Sequence, residues 1–98
     1  MEKSVPHTKL SSVKALVRAG QVLATSSALF GAAYLSMSYS DMVDVLLGLT
    51  PKDFYKSMTT YGDHRIWQDV YRPVVAVGRV YVKITVSANV VIVSFKEL

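Results

Sequence analysis

Between Phe54 and Arg72 the chain reads FYKSMTTYGDHRIWQDVYR, a run of lysine, tyrosine, histidine, arginine, tryptophan and glutamine in a protein that is 51% hydrophobic. Such groups can hold a phosphate, pass a proton or stack on a ring. The rest of the inventory narrows the chemistry. There is no cysteine, so no thiolate nucleophile, disulfide framework or cysteine-based zinc site can form, and the two histidines, His7 and His64, lie far apart in sequence. A catalyst made from this chain is expected to use hydroxyls, amines and amides, with no metal or cofactor of its own. Eleven Lys and Arg against seven Asp and Glu leave a net charge of +4, which favours a polyanionic partner.

That charge is unevenly spread. From Val70 to Lys96 the chain carries Arg72, Arg79, Lys83 and Lys96 and no acid. RVYVKITV has the period of a strand, with Val80, Val82, Ile84 and Val86 on one face and Arg79, Tyr81, Lys83 and Thr85 on the other. Ser87, Ala88 and Asn89 supply a turn into VVIVSFK. If Val91, Val93 and Phe95 join the Val80, Val82 and Ile84 face, Ser94 and Lys96 share the face of Tyr81; a one-residue slip would bury Lys96. Burial thus selects a Tyr81 and Lys96 constellation. FYKSMTT and RIWQDVYR flank a turn at Tyr61 to His64 and form a second expected hairpin. Pro73 and Gly78 mark a bulge or corner.

The elements that must hold these strands lie upstream. Thr8 can cap a helix whose apolar positions Leu10, Val13, Leu16 and Val17 share a face, with Gly20 as its stop. After a QVLAT link, Ser26 and Ser40 can cap helices running through Leu35 and Leu47, and TPKD at Thr50 to Asp53 has the form of a capping box with proline at the first helical position. The uncharged run Ala19 to Ser40 is interrupted by Gln21, several serines, Gly20 and Gly31, so it suits neither a membrane span nor a signal peptide. The expected product is a single cytoplasmic domain over residues 1–98, with no membrane association. Its class is α+β, with helices on one side of a twisted, mostly antiparallel sheet of four to five strands, the polar side left partly open.

EKSVPHTKLSSVKALVRAGQV, LGLTPKDFYKSMTTYGDHRIWQDVYRP and GRVYVKITVSANVVIVSFKEL together resemble the motility quorum-sensing regulator toxin family over nearly the whole chain. The resemblance implies a RelE-like fold and an mRNA interferase of a type II toxin–antitoxin module. It implies active-site residues at Lys56 in FYKS, Gln68 in WQDVY, Tyr81 in VYVK and Lys96 in SFKE, and a preference for GCU-like sites in single-stranded mRNA. It also implies a cognate antitoxin protein with zinc-binding and DNA-binding domains. The departure from the family lies in LATSSALFGAAYLSMSYS, where relatives carry several charges.

RNA brings its own nucleophile. A protein cleaves it by aligning the 2′-hydroxyl with the adjacent phosphorus, neutralising the developing dianionic phosphorane and managing two protons. Lys56 and Lys96 can contact phosphate oxygens, Tyr81 can donate a proton or hydrogen bond, and Gln68 can orient the phosphate or read a base edge. Arg72, Arg79, Lys83 and His64 are expected to bind the RNA chain, and Tyr55, Tyr61, Trp67 and Tyr71 are candidates for stacking on bases. Taken singly, each of these is an ordinary surface or core residue; their joint placement carries the reading. The alternative is a noncatalytic RNA-binding translational regulator using the same basic sheet.

Overall fold

The computed structural model describes residues 1–98. Three helices, α1 (Leu10–Arg18), α2 (Ser26–Tyr34) and α3 (Tyr39–Gly48), cover one side of a seven-stranded sheet. The strands are β1 (Glu2–Lys3), β2 (Val22–Ala24), β3 (Phe54–Thr59), β4 (Trp67–Tyr71), β5 (Val74–Val75), β6 (Gly78–Val86) and β7 (Val90–Glu97). Their spatial order is β1-β3-β4-β6-β7-β2, with β5 paired to β6 off that path. Every pairing is antiparallel except that of β2 with β7. No helix is long and apolar enough to cross a membrane.

The α+β expectation holds, with more strands than the sequence suggests. QVLAT is a parallel edge strand rather than a link, because Val22 to Ala24 find partners in Val90 to Ile92. The cap residues also move. Thr25, not Ser26, caps α2 by accepting from the Ala28 amide at 3.1 Å. Ser38, not Ser40, caps α3 in a reciprocal box with Asp41. Thr8 makes no cap for α1: the N-cap position falls on Lys9, which makes no side-chain cap bond, while the Thr8 amide donates to Asp69. Gly20 does end α1, at φ +77°, the left-handed region glycine enters without strain. TPKD gives one 3₁₀ turn, in which the Asp53 carboxylate accepts from the Thr50 amide and hydroxyl.

Between sheet and helices lies the core. Val80, Val82 and Ile84 of β6 and Val90, Ile92 and Phe95 of β7 meet Val13, Val17, Ala28, Ala32, Met42 and Leu46 from the helices, all buried. The inward set on β7 differs from the expected Val91, Val93 and Phe95. A bulge leaves Lys83 opposite Ser94 but Ile84 opposite Ile92, so Val93 is an extra residue that reverses the alternation. Thr25 holds this bulge, donating from its amide to the Ile92 carbonyl at 3.0 Å and from its hydroxyl to the Val93 carbonyl at 2.9 Å. The cap of α2 and the kink in β7 are therefore one structure. Below the bulge the expected register stands, and Lys96 faces away from the helices.

The first residues are strapped across the sheet. β1 pairs with β3, placing Glu2 beside Met58 and Lys3 beside Ser57. The chain then crosses behind β4, where the buried Asp69 carboxylate accepts from the amides of His7 at 2.9 Å and Thr8 at 3.1 Å. His7 stacks on Trp67 with ring centroids 5.4 Å apart, and Lys3 Nζ sits 4.0 Å from the Trp67 ring and 2.9 Å from His7 Nδ1. Trp67 is thus occupied on the helix side, where it cannot stack on a base presented to the open face. Tyr71 is likewise buried, against Phe54, and burial with the nearby Asp69 charge pushes its hydroxyl up to about 12.

Candidate active site

The face of the sheet turned away from the helices is built by pairing register. Directly paired residues on adjacent strands point the same way, about 4.8 Å apart. One such row runs Lys56, Val70, Lys83 and Ser94 across β3, β4, β6 and β7; a neighbouring row pairs Tyr81 with Lys96. Val70 is fully buried on this open side, which identifies it as the floor beneath the long side chains around it. A third row, Glu2, Met58 and Gln68, crosses β1, β3 and β4. Long lysine stems lie along such a floor and carry their amines to its rim.

Lys56, Tyr81 and Lys96 are brought together with Lys83. Lys96 Nζ stands 5.1 Å from the Tyr81 ring centroid, on the strand paired with it. Lys56 owes its orientation to a second bulge, at Tyr55, where Phe54 faces Tyr71 but Lys56 faces Val70. That bulge turns Tyr55 outward, and the Arg72 guanidinium packs 3.7 Å from its ring centroid. Gln68 stands on the far side of Val70, in the wall of a cavity of about 550 Å³ that it shares with Met58, Thr60, His64 and Lys83. Of the expected RNA-binding residues, Arg72 therefore borders Lys56, Lys83 lies inside the cluster, His64 lines the cavity from the turn, and Arg79 is exposed beyond Tyr81. Of the four candidate base stackers, Tyr55 is exposed beside this cluster and Tyr61 is fully exposed in the turn beside the cavity.

The lysines do not share one environment. Lys56 Nζ donates to Glu2 Oε2 at 3.0 Å, and that hydrogen bond raises its pKa above the ordinary lysine value, with some opposition from burial. Lys83 has the reverse situation. Burial lowers its pKa, and the charges of Lys96 and Lys56 push the same way. No acid pairs with it, since the ion pairs of the molecule are Lys56 with Glu2 and Arg65 with Asp63. Sequence reasoning gives Glu2 no role, because only the pairing of β1 with β3 brings it to Lys56. It places Lys83 among the strand's basic residues, but the enclosure of that amine depends on Val70 and on neighbours from two other strands.

Comparisons with known proteins point in one direction. Residues 5–97 match the family model described as motility quorum-sensing regulator, toxin of MqsA. The chain is 61% identical over 97 residues to the mRNA interferase toxin MqsR of Escherichia coli (strain K12), an alignment covering 99% of each chain.

Proposed function

Because the chain belongs to the motility quorum-sensing regulator toxin family, an endoribonuclease kinship, we propose that it cuts single-stranded mRNA at GCU-like sites by metal-independent attack of the RNA's own 2′-hydroxyl. The observation that carries this reading is the convergence of Lys56, Tyr81, Lys83 and Lys96 over the buried Val70 on an open sheet face. Such a face offers a phosphate several cations and a phenol where RNA can reach them. It offers no convergent trio of carboxylates or imidazoles.

In this reading the RNA backbone runs over the row between β3 and β7. Lys56 and Lys96 hold the non-bridging oxygens of the scissile phosphate and strengthen their hold as charge grows toward the dianionic phosphorane. Arg72 and Arg79 bind flanking phosphates. The 2′-oxygen bonds to phosphorus as the bond to the 5′-oxygen breaks, and Tyr81 supplies the proton to that leaving oxygen. Lys56 and Lys96 surround the phenolate formed, offsetting its charge. Gln68 orients the phosphate or reads a base edge from the cavity it lines, with His64 at the same wall. The products are a 2′,3′-cyclic phosphate and a 5′-hydroxyl, and translation stops for want of intact message.

A cognate antitoxin restrains this activity in the cell, in keeping with the family description as a toxin of MqsA. The name of the Escherichia coli relative, mRNA interferase toxin, favours catalysis over a noncatalytic RNA-binding role for the same face. The test is incubation of purified protein in EDTA with defined single-stranded RNAs that contain or lack GCU, followed by end-group analysis. Cleavage at GCU giving a cyclic phosphate is expected. An absolute need for added divalent metal, or 5′-phosphate products, would overturn the mechanism.

A further inference from the structure

We infer that Lys83 is a further catalytic residue: its neutral amine takes the proton from the attacking 2′-hydroxyl. The inference rests on the ribonuclease reading above and supplies the proton acceptor that reading leaves unassigned.

Position is the first argument. Lys83 lies on β6 two residues from Tyr81, opposite Val70 on one side and Ser94 on the other. It thus occupies the middle of the face, with Lys56 across Val70 and Lys96 across the β6–β7 pairing. It also lines the cavity that holds Gln68 and His64. A phosphate held between Lys56 and Lys96 has one ester arm over Tyr81 and the other toward Lys83. An in-line displacement needs its acid and its base on opposite sides of phosphorus.

Electrostatics is the second. The charges that act on Lys83 are those of Lys96 from β7 and Lys56 from β3; Tyr81 lies two residues along the same face of β6, and the cavity Lys83 lines adds His64 from the turn and the first residue, Met1. The carboxylate on this side, Glu2, is engaged by Lys56. An amine among cations, over an apolar floor and without an acid, gives up its proton more readily than ordinary lysine, and the direction found for Lys83 agrees. Lys56 is unsuited to the task, since Glu2 holds its proton.

The protons balance. The Lys83 lone pair accepts the 2′-hydroxyl proton as the 2′-oxygen–phosphorus bond forms. The electron pair of the breaking phosphorus–oxygen bond leaves with the 5′-oxygen, which takes the Tyr81 proton. Proton exchange with water then restores a neutral Lys83 and a protonated Tyr81.

The experiment follows single-turnover cleavage of a GCU-containing RNA across pH, in EDTA with saturating protein, for the parent chain, Lys83→Arg and Lys83→Cys. Since the chain has no cysteine of its own, the thiol introduced by Lys83→Cys can be aminoethylated at that position alone, giving a lysine analogue that is a weaker base. A second portion is blocked with iodoacetamide, which leaves an uncharged amide of similar length. The parent rate should climb with pH and level off. Lys83→Arg should keep its RNA affinity within a few-fold while cleaving about 100-fold or more slowly, the usual scale for loss of a general base. The aminoethylated protein should recover cleavage with its rising limb displaced to lower pH, and the blocked protein should not recover. Cleavage by Lys83→Arg at the parent rate, or an undisplaced limb after aminoethylation, would overturn the inference and leave the ribonuclease reading standing. Failure of the parent protein to yield cyclic phosphate at all would overturn both.

Discussion

Asp69 is the post to which the N-terminal segment is tied, and Asp69→Asn measures the strength of the knot. The parent carboxylate is almost fully buried and accepts two backbone amides, at 2.9 Å from His7 and 3.1 Å from Thr8. An asparagine amide has one acceptor oxygen and one NH₂. One hydrogen bond would survive in weaker, neutral form, and the other would be replaced by two donors facing each other. With hydrogen bonds to charged groups contributing about 1.5–3 kcal/mol and neutral ones about 1, the substitution removes about 3 kcal/mol. For a domain of this size that is a fall in Tm of about 15 °C. The loss should begin at the strap. The Thr59 amide, which donates to the Met1 carbonyl at 2.9 Å, should exchange with solvent much faster, and protease should gain access near Val5. Tyr81, Lys83 and Lys96 lie on β6 and β7, so cleavage at 10 °C should fall by less than about tenfold. A Tm within about 3 °C of the parent, with Thr59 equally protected, would refute the reasoning, because two buried charge-assisted bonds cannot be lost at so small a cost.

Further outcomes follow from the same geometry. Val82→Asp sets an unpaired carboxylate in a fully buried position between sheet and helices, and should cost most of the folding free energy, seen as loss of the cooperative thermal transition. Tyr81→Phe, on the opposite face of the same strand, should melt within a few degrees of the parent while losing cleavage by orders of magnitude with RNA affinity retained. Lys96→Ala should slow single-turnover cleavage strongly, and Lys96→Arg should restore most of it if Lys96 acts as a cationic clamp; an arginine variant as slow as the alanine one would reject that role. Lys83→Met should raise Tm at neutral pH by a few degrees. The folded state disfavours the charged amine, so between its lowered pKa and the ordinary 10.5 the unfolded chain binds more protons and stability rises with pH. The advantage of the methionine variant should therefore shrink as pH climbs through that window, and a variant less stable than the parent at pH 7 would contradict it.

How much of this could be read from the residue order depends on how local each determinant is. RVYVKITV declares its two faces because apolar and polar residues alternate without exception, and that alone places Tyr81 away from the core. VVIVSF carries four consecutive apolar residues, so alternation could begin on either; the bulge at Val93 is decided by Thr25, far upstream, which binds the Ile92 and Val93 carbonyls. Lys96 is nonetheless legible, because Ser94, Phe95 and Lys96 lie below that bulge. Val22 to Ala24 is too short to show a period, and its strand character comes from the exposed edge of β7. The side-chain types at the four positions Lys56, Gln68, Tyr81 and Lys96 are visible in the motifs, but the state of each amine is not. Glu2 reaches Lys56 across 54 positions of chain.

That difference in state is what would let one residue type fill the two proposed jobs on one row. Lys56 and Lys83 are both lysines flanking Val70, yet one has a carboxylate drawn in from β1 and the other has no paired acid and the repulsion of Lys96 and Lys56. Before RNA arrives, proton loss from Lys83 relieves repulsion with Lys56 and Lys96, whereas loss from Lys56 would abandon an ion pair. In the proposed reaction negative charge accumulates on the phosphorane as the 2′-oxygen attacks, and the same Lys83 position would then favour the protonated amine. The affinity of Lys83 for a proton thus rises along the reaction coordinate, when the proton must be taken. Such a site should be sensitive to its cationic surroundings as a set. Lys56→Gln would remove a proposed phosphate contact and one of the charges that lower the pKa of Lys83, so its effect should be a slower rate together with a rising limb displaced toward higher pH. A slower rate with an unmoved limb would mean that Lys56 and Lys83 act independently, and that the coupling read from their shared row is absent.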